Sequence, residues 1–277
     1  TQEQGDSSNI ANEWRRSPSF LDAQGHYDWT KYKGQRWFLN AAQQRGVDQF
    51  LMYTISPPVF YTKNGKGHAS KDNRGFNLKP GKYDDYARYI VDVLEHFKKQ
   101  ENFHFDYISP FNEPQWDWEE SGQEGTPAYN EELYVYMKHL AQILDDRGLS
   151  TQIVPGEAAT IAHLFKDVNN DSRGDQINVF YNPQSPLYIG DFPNLKYAIS
   201  GHSYFTTWPL KLQIESRQKL AERFREINPG LDYWQTEFCI LEESDEIGGG
   251  RPRDLGMPTA LYVARVIHSD LTIAQAK

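Results

Sequence analysis

The stretch HFDYISPFNEPQWDW, residues 104–118, decides how this chain is read. Its first part, His104–Ile108, is mostly aromatic and β-branched, as expected of a strand with both faces buried. Pro110 and Pro114 lack the N–H that a ladder requires, so pairing should stop between them. Glu113 then stands where a strand ends and a loop begins, with Trp116 and Trp118 just beyond it.

Working outward, the same unit recurs: a short apolar strand, then a helical pattern. Strands are predicted at 48–56 (DQFLMYTIS), 104–111, 151–158 (TQIVPGEA), 196–204 (KYAISGHSY) and 232–238 (DYWQTEF). Helices follow at 82–99, 130–148, 160–168, 212–230 and 257–271. In the first, Tyr83, Ala87, Ile90, Leu94 and Phe97 share a face. In the second, Leu133, Met137, Leu140 and Leu144 do, and Gly148 ends it. A βα series with nearly unalternated strands implies a parallel sheet covered on both sides. No strand leads into a Gly-rich phosphate loop, which argues against an open nucleotide-binding sheet. Polar residues instead collect at strand C-termini: Ser56, Asn112-Glu113, Glu157, His202-Ser203-Tyr204 and Glu237. That is the signature of a (β/α)8 TIM-type barrel. Only five strands are visible, so the barrel is expected to be incomplete, and residues 1–277 to be one catalytic domain excerpted from a longer protein. Phe50, Met52 and Trp234 should then be exposed where partner strands are missing.

Composition narrows the function. The 277 residues carry a net charge of −9, a poor match to nucleic acid or an anionic membrane surface. No window approaches the ~20 apolar residues of a membrane span. The single cysteine, Cys239, excludes an intrachain disulfide and a cysteine metal cluster, and is read as packing. Aromatic content reaches 14%, and many of these rings sit beside Pro, Gly or acidic residues rather than at helical core spacing. Flat rings near loops suit the apolar faces of sugars.

Glu113 and Glu237 end strands three βα units apart. Strands three apart in an eight-strand barrel face each other across its mouth, so the two carboxylates can converge. Paired carboxylates across a cleft are the machinery of glycoside hydrolysis, one donating a proton and the other ionised. Mutual repulsion, about 3 kcal/mol at ~5 Å and an effective dielectric near 20, helps keep one protonated while the other is charged.

These residues also carry a resemblance. SPFNEP and the later QTEF resemble the acid/base and nucleophile motifs of clan A glycoside hydrolases. The fuller pattern, ISPFNEPQWDW with QEGTP, SPP at 56–58 and NLKPGKYDDYARYIVDVLEHF, resembles glycoside hydrolase family 30 over nearly the whole chain, most of all its endo-β-1,6-galactanase-like members. The resemblance implies a retaining mechanism with Glu113 as acid/base and Glu237 as nucleophile, and no cofactor. It also implies that Asn112 binds the sugar 2-hydroxyl and that Tyr204 donates to Glu237. It assigns this chain strands 3–7 of the family barrel and implies a secreted, periplasmic or cell-surface enzyme. One departure is Phe60 in SPPVFYT, where the family usually has a tryptophan.

Around this pair, Trp116, Trp118, Phe205 and Trp208 are candidates for stacking sugars. Glu157 is a candidate for binding sugar hydroxyls or for a structural salt bridge, and His202 is placed with the substrate-binding residues. Residues 167–178 match the first positions of a calcium loop at Asp167, Asn169 and Asp171, but Ser172 and Asn178 break the pattern, and no metal is expected. The expected partner is a polysaccharide or oligosaccharide substrate, the expected state a monomer. Rival readings are a β-xylanase, a β-glucosidic hydrolase, or a catalytically silent carbohydrate-binding protein.

Overall fold

A computed structural model of the chain describes residues 10–119, 122–241, 243–249 and 253–277. After an N-terminal segment comes α1 (Lys33–Gln43), then β1 (Leu51–Tyr53), α2 (Tyr83–Gln100), β2 (Tyr107–Ser109), α3 (Asn130–Asp146) and β3 (Gln152–Ile153). The short helices α4 (Ala162–Phe165) and α5 (Gln176–Tyr181) precede β4 (Ala198–His202), α6 (Leu210–Ile227), β5 (Asp232–Glu237) and α7 (Met257–Thr272). No helix among the described residues is long and apolar enough to cross a membrane.

The strands run parallel in chain order. β1 pairs with β2 and β2 with β3, and β4 pairs with β5. The two ladders are joined by parallel bridges at Ile153–Leu195 and Ala158–Gly201. Strands are shorter than the sequence predicts because prolines interrupt them: Pro110 ends β2, and Pro155 interrupts the segment after β3. The pleated order of the strands survives; formal pairing does not extend to their predicted ends.

Helix faces follow the predicted period. In α3, Leu133, Met137, Leu140 and Leu144 are all buried. In α2, Ala87, Ile90, Leu94 and Phe97 are buried, while Tyr83 is only half-buried. Asp84 and Asp85 open α2 and Lys98 and Lys99 close it, each complementing the helix dipole. Gly148, at φ +61°, closes α3 in the left-handed region that glycine enters freely. Two helices were not foreseen, α1 and α5. α5 is only six residues long and leaves little periodic signal, while α1 is amphipathic but has no buried residue.

The sheet curls. β2 and β5 are three strands apart, roughly 14 Å in a flat sheet. Yet the rings of Tyr107 on β2 and Trp234 on β5 meet edge to face, with centroids 4.8 Å apart. The Lys196 ammonium lies over both rings, 5.9 and 5.8 Å from their centroids. This inner contact is why Trp234 is half-buried and not exposed as expected. Phe50 and Met52 are half-buried too, Phe50 against Phe103 at 4.6 Å. Much of the exposed apolar surface lies instead on helices. Trp37 and Phe38 stand out from α1, and Met257, Leu261, Ile267 and Leu271 from α7. On its outer side β1 faces an apolar cavity of about 430 Å³ whose lining includes Phe38, Leu39, Leu51, Ile90 and Val93.

Candidate active site

The strand C-termini bring the predicted polar residues together. Glu113 follows β2 on a turn that places it at φ +45°, a left-handed conformation costly for a side-chain-bearing residue. Three hydrogen bonds hold that turn. The Glu113 N–H donates to the Glu157 carbonyl at 2.9 Å. The Glu113 carbonyl accepts from the Trp116 N–H at 3.2 Å and from Trp118 Nε1 at 2.9 Å. Glu157 is likewise left-handed, at φ +47°, and its N–H donates to Ser200 Oγ at 2.8 Å.

His202, the last residue of β4, is fully buried and links two of the glutamates. Its Nδ1 lies 2.8 Å from Glu113 Oε1 and its Nε2 lies 2.9 Å from Glu157 Oε2. Burial opposes charge on this ring but is outweighed by the bonds to Glu113 and Glu157 and the nearby charges of Glu157 and Glu237. The imidazole is pushed up to about 9.

Glu237 ends β5 partly exposed. A register shift between Gly201 and His202 pairs His202 with Glu237 and leaves Thr236 as an extra residue. Such a bulge re-aims side chains at a sheet's end. Here Thr236 Oγ1 donates to Glu157 Oε2 at 3.0 Å, while Glu237 Oε1 accepts from the Tyr204 hydroxyl at 2.9 Å. Burial, with Cys239 and Glu237 beside it, pushes the Tyr204 phenol well above its ordinary range, so it remains a neutral donor. One ligand atom each from Glu113, His202 and Glu237 all lie within 4.8 Å of one another. A cleft of about 380 Å³ opens beside them, its lining including Tyr53, Tyr107, Glu157, Trp234 and Glu237. Asn112, next to Glu113, is buried with its Oδ1 unpartnered.

The sequence model of O-glycosyl hydrolase family 30 matches residues 1–277. The chain belongs to that family. An endo-β-1,6-galactanase of Hypocrea rufa is 27% identical over 138 residues, 48% of this chain and 28% of the relative. A conserved exported protein from Bacteroides fragilis superposes with a TM-score of 0.91 at 32% identity, covering 98% of this chain and 55% of that one. The catalytic domain of xylanase C from Talaromyces cellulolyticus, at 19% identity, shares the fold, with a TM-score of 0.61 over 94% of this chain and 53% of that one. This chain therefore spans about half the length of these solved structures, and its match covers less than a third of the curated relative.

Within this family 30 chain the other candidates part company. Trp116 is exposed and meets the exposed Phe205 edge to face at 5.6 Å, forming an aromatic wall beside Glu113. Trp118 is half-buried; a Cβ on Gly125 would lie 2.2 Å from its ring, so the indole packs flat on that glycine. Its indole N–H is already given to the Glu113 carbonyl. Trp208 is half-buried at the cis Trp208–Pro209 junction leading into α6. Cys239 is exposed, with its Sγ 3.6 Å from the Tyr204 hydroxyl; the strand has ended at Glu237, so it does not pack as the sequence suggested. In the calcium-like loop, Asp167 accepts from the backbone N–H groups of Asp171 and Ser172, closing the turn on itself. Sequence reasoning missed Ser109 and Thr236, whose hydroxyls both donate to Glu157. Nothing local marks them, because they come from β2 and β5, strands far from Glu157 in sequence.

Proposed function

We propose that this chain carries the catalytic pair of a retaining glycoside hydrolase acting on a β-linked polysaccharide. The observation that carries the reading is the approach of the Glu113 and Glu237 carboxylates to within 4.8 Å. Retaining enzymes need their two carboxyls about 5–5.5 Å apart, whereas inverting ones need 6.5–9.5 Å to admit a water. Glu237 attacks the anomeric carbon as Glu113 protonates the departing oxygen. Glu113 then takes a proton from the water that displaces Glu237, and the sugar leaves with its configuration retained. The Tyr204 hydroxyl supports the Glu237 carboxylate before attack. Asn112, with a buried oxygen lacking a partner, is suited to a sugar hydroxyl. Trp116 and Phe205 offer flat faces to neighbouring sugar rings. The reaction needs only carboxylates and water, with no cofactor.

The substrate we favour is a β-1,6-linked galactan, on the likeness to the Hypocrea rufa galactanase. A β-xylan is the second reading, favoured by the fold shared with xylanase C. The strand order, curl and structural likeness support a (β/α)8 barrel of which this chain supplies strands 3–7. The exported Bacteroides fragilis protein supports a secreted or cell-surface location, and a monomer is expected. The test is to incubate the full-length protein with galactan, xylan and β-glucan and follow the first products by proton NMR. Release of β-configured ends supports retention; α-configured ends, or no cleavage of any β-glycan, overturn the reading.

A further inference from the structure

Glu157 was a candidate for touching substrate, yet its carboxylate is already committed within the protein. Oε1 accepts from Ser109 Oγ at 3.0 Å. Oε2 accepts from Thr236 Oγ1 at 3.0 Å and faces His202 Nε2 at 2.9 Å. The side chain is 5% exposed. A carboxylate receiving two hydroxyl protons is an acceptor toward the third partner as well, so Nε2 carries the hydrogen. That leaves Nδ1 aimed at Glu113 Oε1, 2.8 Å away. The backbone repeats the coupling, since the Glu113 N–H donates to the Glu157 carbonyl. We propose that Glu157 is a positioning residue which, through His202, fixes the orientation and charge of the Glu113 carboxylate. The inference rests on the hydrolase reading above and gives that site a third glutamate with a distinct role.

The chemistry follows from the ring's two faces. With Nε2–H held by Glu157, the ring keeps a second proton on Nδ1 and donates it to Glu113 Oε1. Glu113 then carries its exchangeable proton on Oε2. When that proton passes to the leaving oxygen, the new carboxylate is stabilised by the imidazolium. In the second half-reaction Oε2 takes a proton from water and the starting state returns. The ring's own protons do not move.

Several other titratable groups share this environment. Glu237 on β5 adds a second negative charge near the ring, beside that of Glu157, and Tyr204 lies edge-on to it at 5.9 Å. Tyr53 on β1 is raised by burial and by Glu237 and Glu157, and Tyr233 on β5 is raised by burial and, further down, by Asp270 and Glu157. Neither phenol is charged at neutral pH, so the ring's balance is set by the glutamates.

The test is Glu157→Gln in the full-length protein, read in two independent ways. In ¹⁵N-histidine-labelled wild type at pH 7.5, both ring nitrogens of His202 should be protonated; in the variant, only one should be. Turnover of a glycoside with a sugar leaving group should fall by about 10–100-fold in kcat with KM within about twofold. The alkaline limb of kcat/KM should move to higher pH, because a neutral ring no longer stabilises the carboxylate form. Glu157→Asp, which keeps the charge, should keep the doubly protonated ring and the wild-type limb. A neutral ring in wild type overturns the proposal without any variant. A raised KM at unchanged kcat also overturns it, and returns Glu157 to sugar binding. If no glycoside is cleaved even by wild type, the hydrolase reading fails, while the ring spectra still decide whether Glu157 controls His202.

Discussion

Two consecutive residues at the end of β4 enter two buried polar clusters that differ in kind. His202 reaches toward the mouth, where one ring meets Glu113 and Glu157 with Glu237 close by. Ser203 turns the other way, into a cluster between α6 and α7. There Arg217 Nε donates to Asp270 Oδ1 at 2.8 Å, and its other nitrogens reach Ser203 Oγ at 3.0 Å and the Thr206 carbonyl at 2.6 Å. Ser203 Oγ in turn donates to Asp270 Oδ2 at 3.0 Å. The second cluster pairs one permanent cation with one anion and gives every guanidinium nitrogen a partner. The first gathers three carboxylates around one titratable ring, includes two left-handed glutamates, and leaves Asn112 Oδ1 unpartnered. Balanced and complete polar networks serve the fold; unbalanced and strained ones mark a place where something else must bind or react.

The sharpest way to break this comparison is Glu237→Ala. With no group to form the glycosyl-enzyme, kcat should fall about 10⁴-fold or more on every substrate, while the melting temperature stays close to wild type. Retained activity would move the site elsewhere. Glu113→Ala should cost less and cost it selectively. Cleavage of a natural glycoside should fall about 10²–10⁴-fold. A dinitrophenyl glycoside needs no proton on departure, so it should give a burst of phenol, and added azide should restore turnover and yield a β-glycosyl azide. A burst seen with Glu237→Ala instead would show that the two roles are reversed.

In the other cluster the cost should fall on stability. Asp270→Ala strands the buried Arg217 charge, and denaturant unfolding at pH 7 should show a loss of about 3–5 kcal/mol. The kcat of the molecules that remain folded should be unchanged within a few-fold. A large loss of kcat at full stability would erase the distinction between the clusters.

The smallest effect concerns pH. His202 is raised from its ordinary 6.5 to about 9. Below pH 6.5 the ring is charged in both folded and unfolded chains, so its contribution is complete. As pH rises from there, the unfolded chain loses a proton that the folded one keeps. Stability should therefore fall, by up to about 3 kcal/mol, until the folded ring titrates near 9. Unfolding curves at pH 6, 7.5 and 9.5 should show this decline, and it should flatten in His202→Gln. A decline of equal size in the variant would assign it to other groups.

Much of this was legible from local pattern. The helix faces of α2 and α3 follow a 3.6-residue period that the chain carries in itself, and prolines at 110 and 114 mark where the β2 ladder stops, whereas the interruption at Pro155 was not foreseen. Glu113, Glu157, His202 and Glu237 were all placed at strand ends because strand ends are set by neighbours in sequence. Tyr204 was rightly aimed at Glu237, though on a likeness to relatives rather than on any spacing. Tertiary structure alone decided what each strand end touches. The bulge at Gly201/His202 separates Thr236 from Glu237, and no residue type announces it. Glu157 faces Ser109, Thr236 and His202, each from a different strand, so its role depends on which strands lie side by side and how tightly they curl. Trp234 is half-buried for the same reason: its cover comes from Tyr107 on β2 and from Lys196. Periodicity is a property of adjacent residues and can be read along a chain. The partner of a hydrogen bond across a curled sheet is a property of the curl.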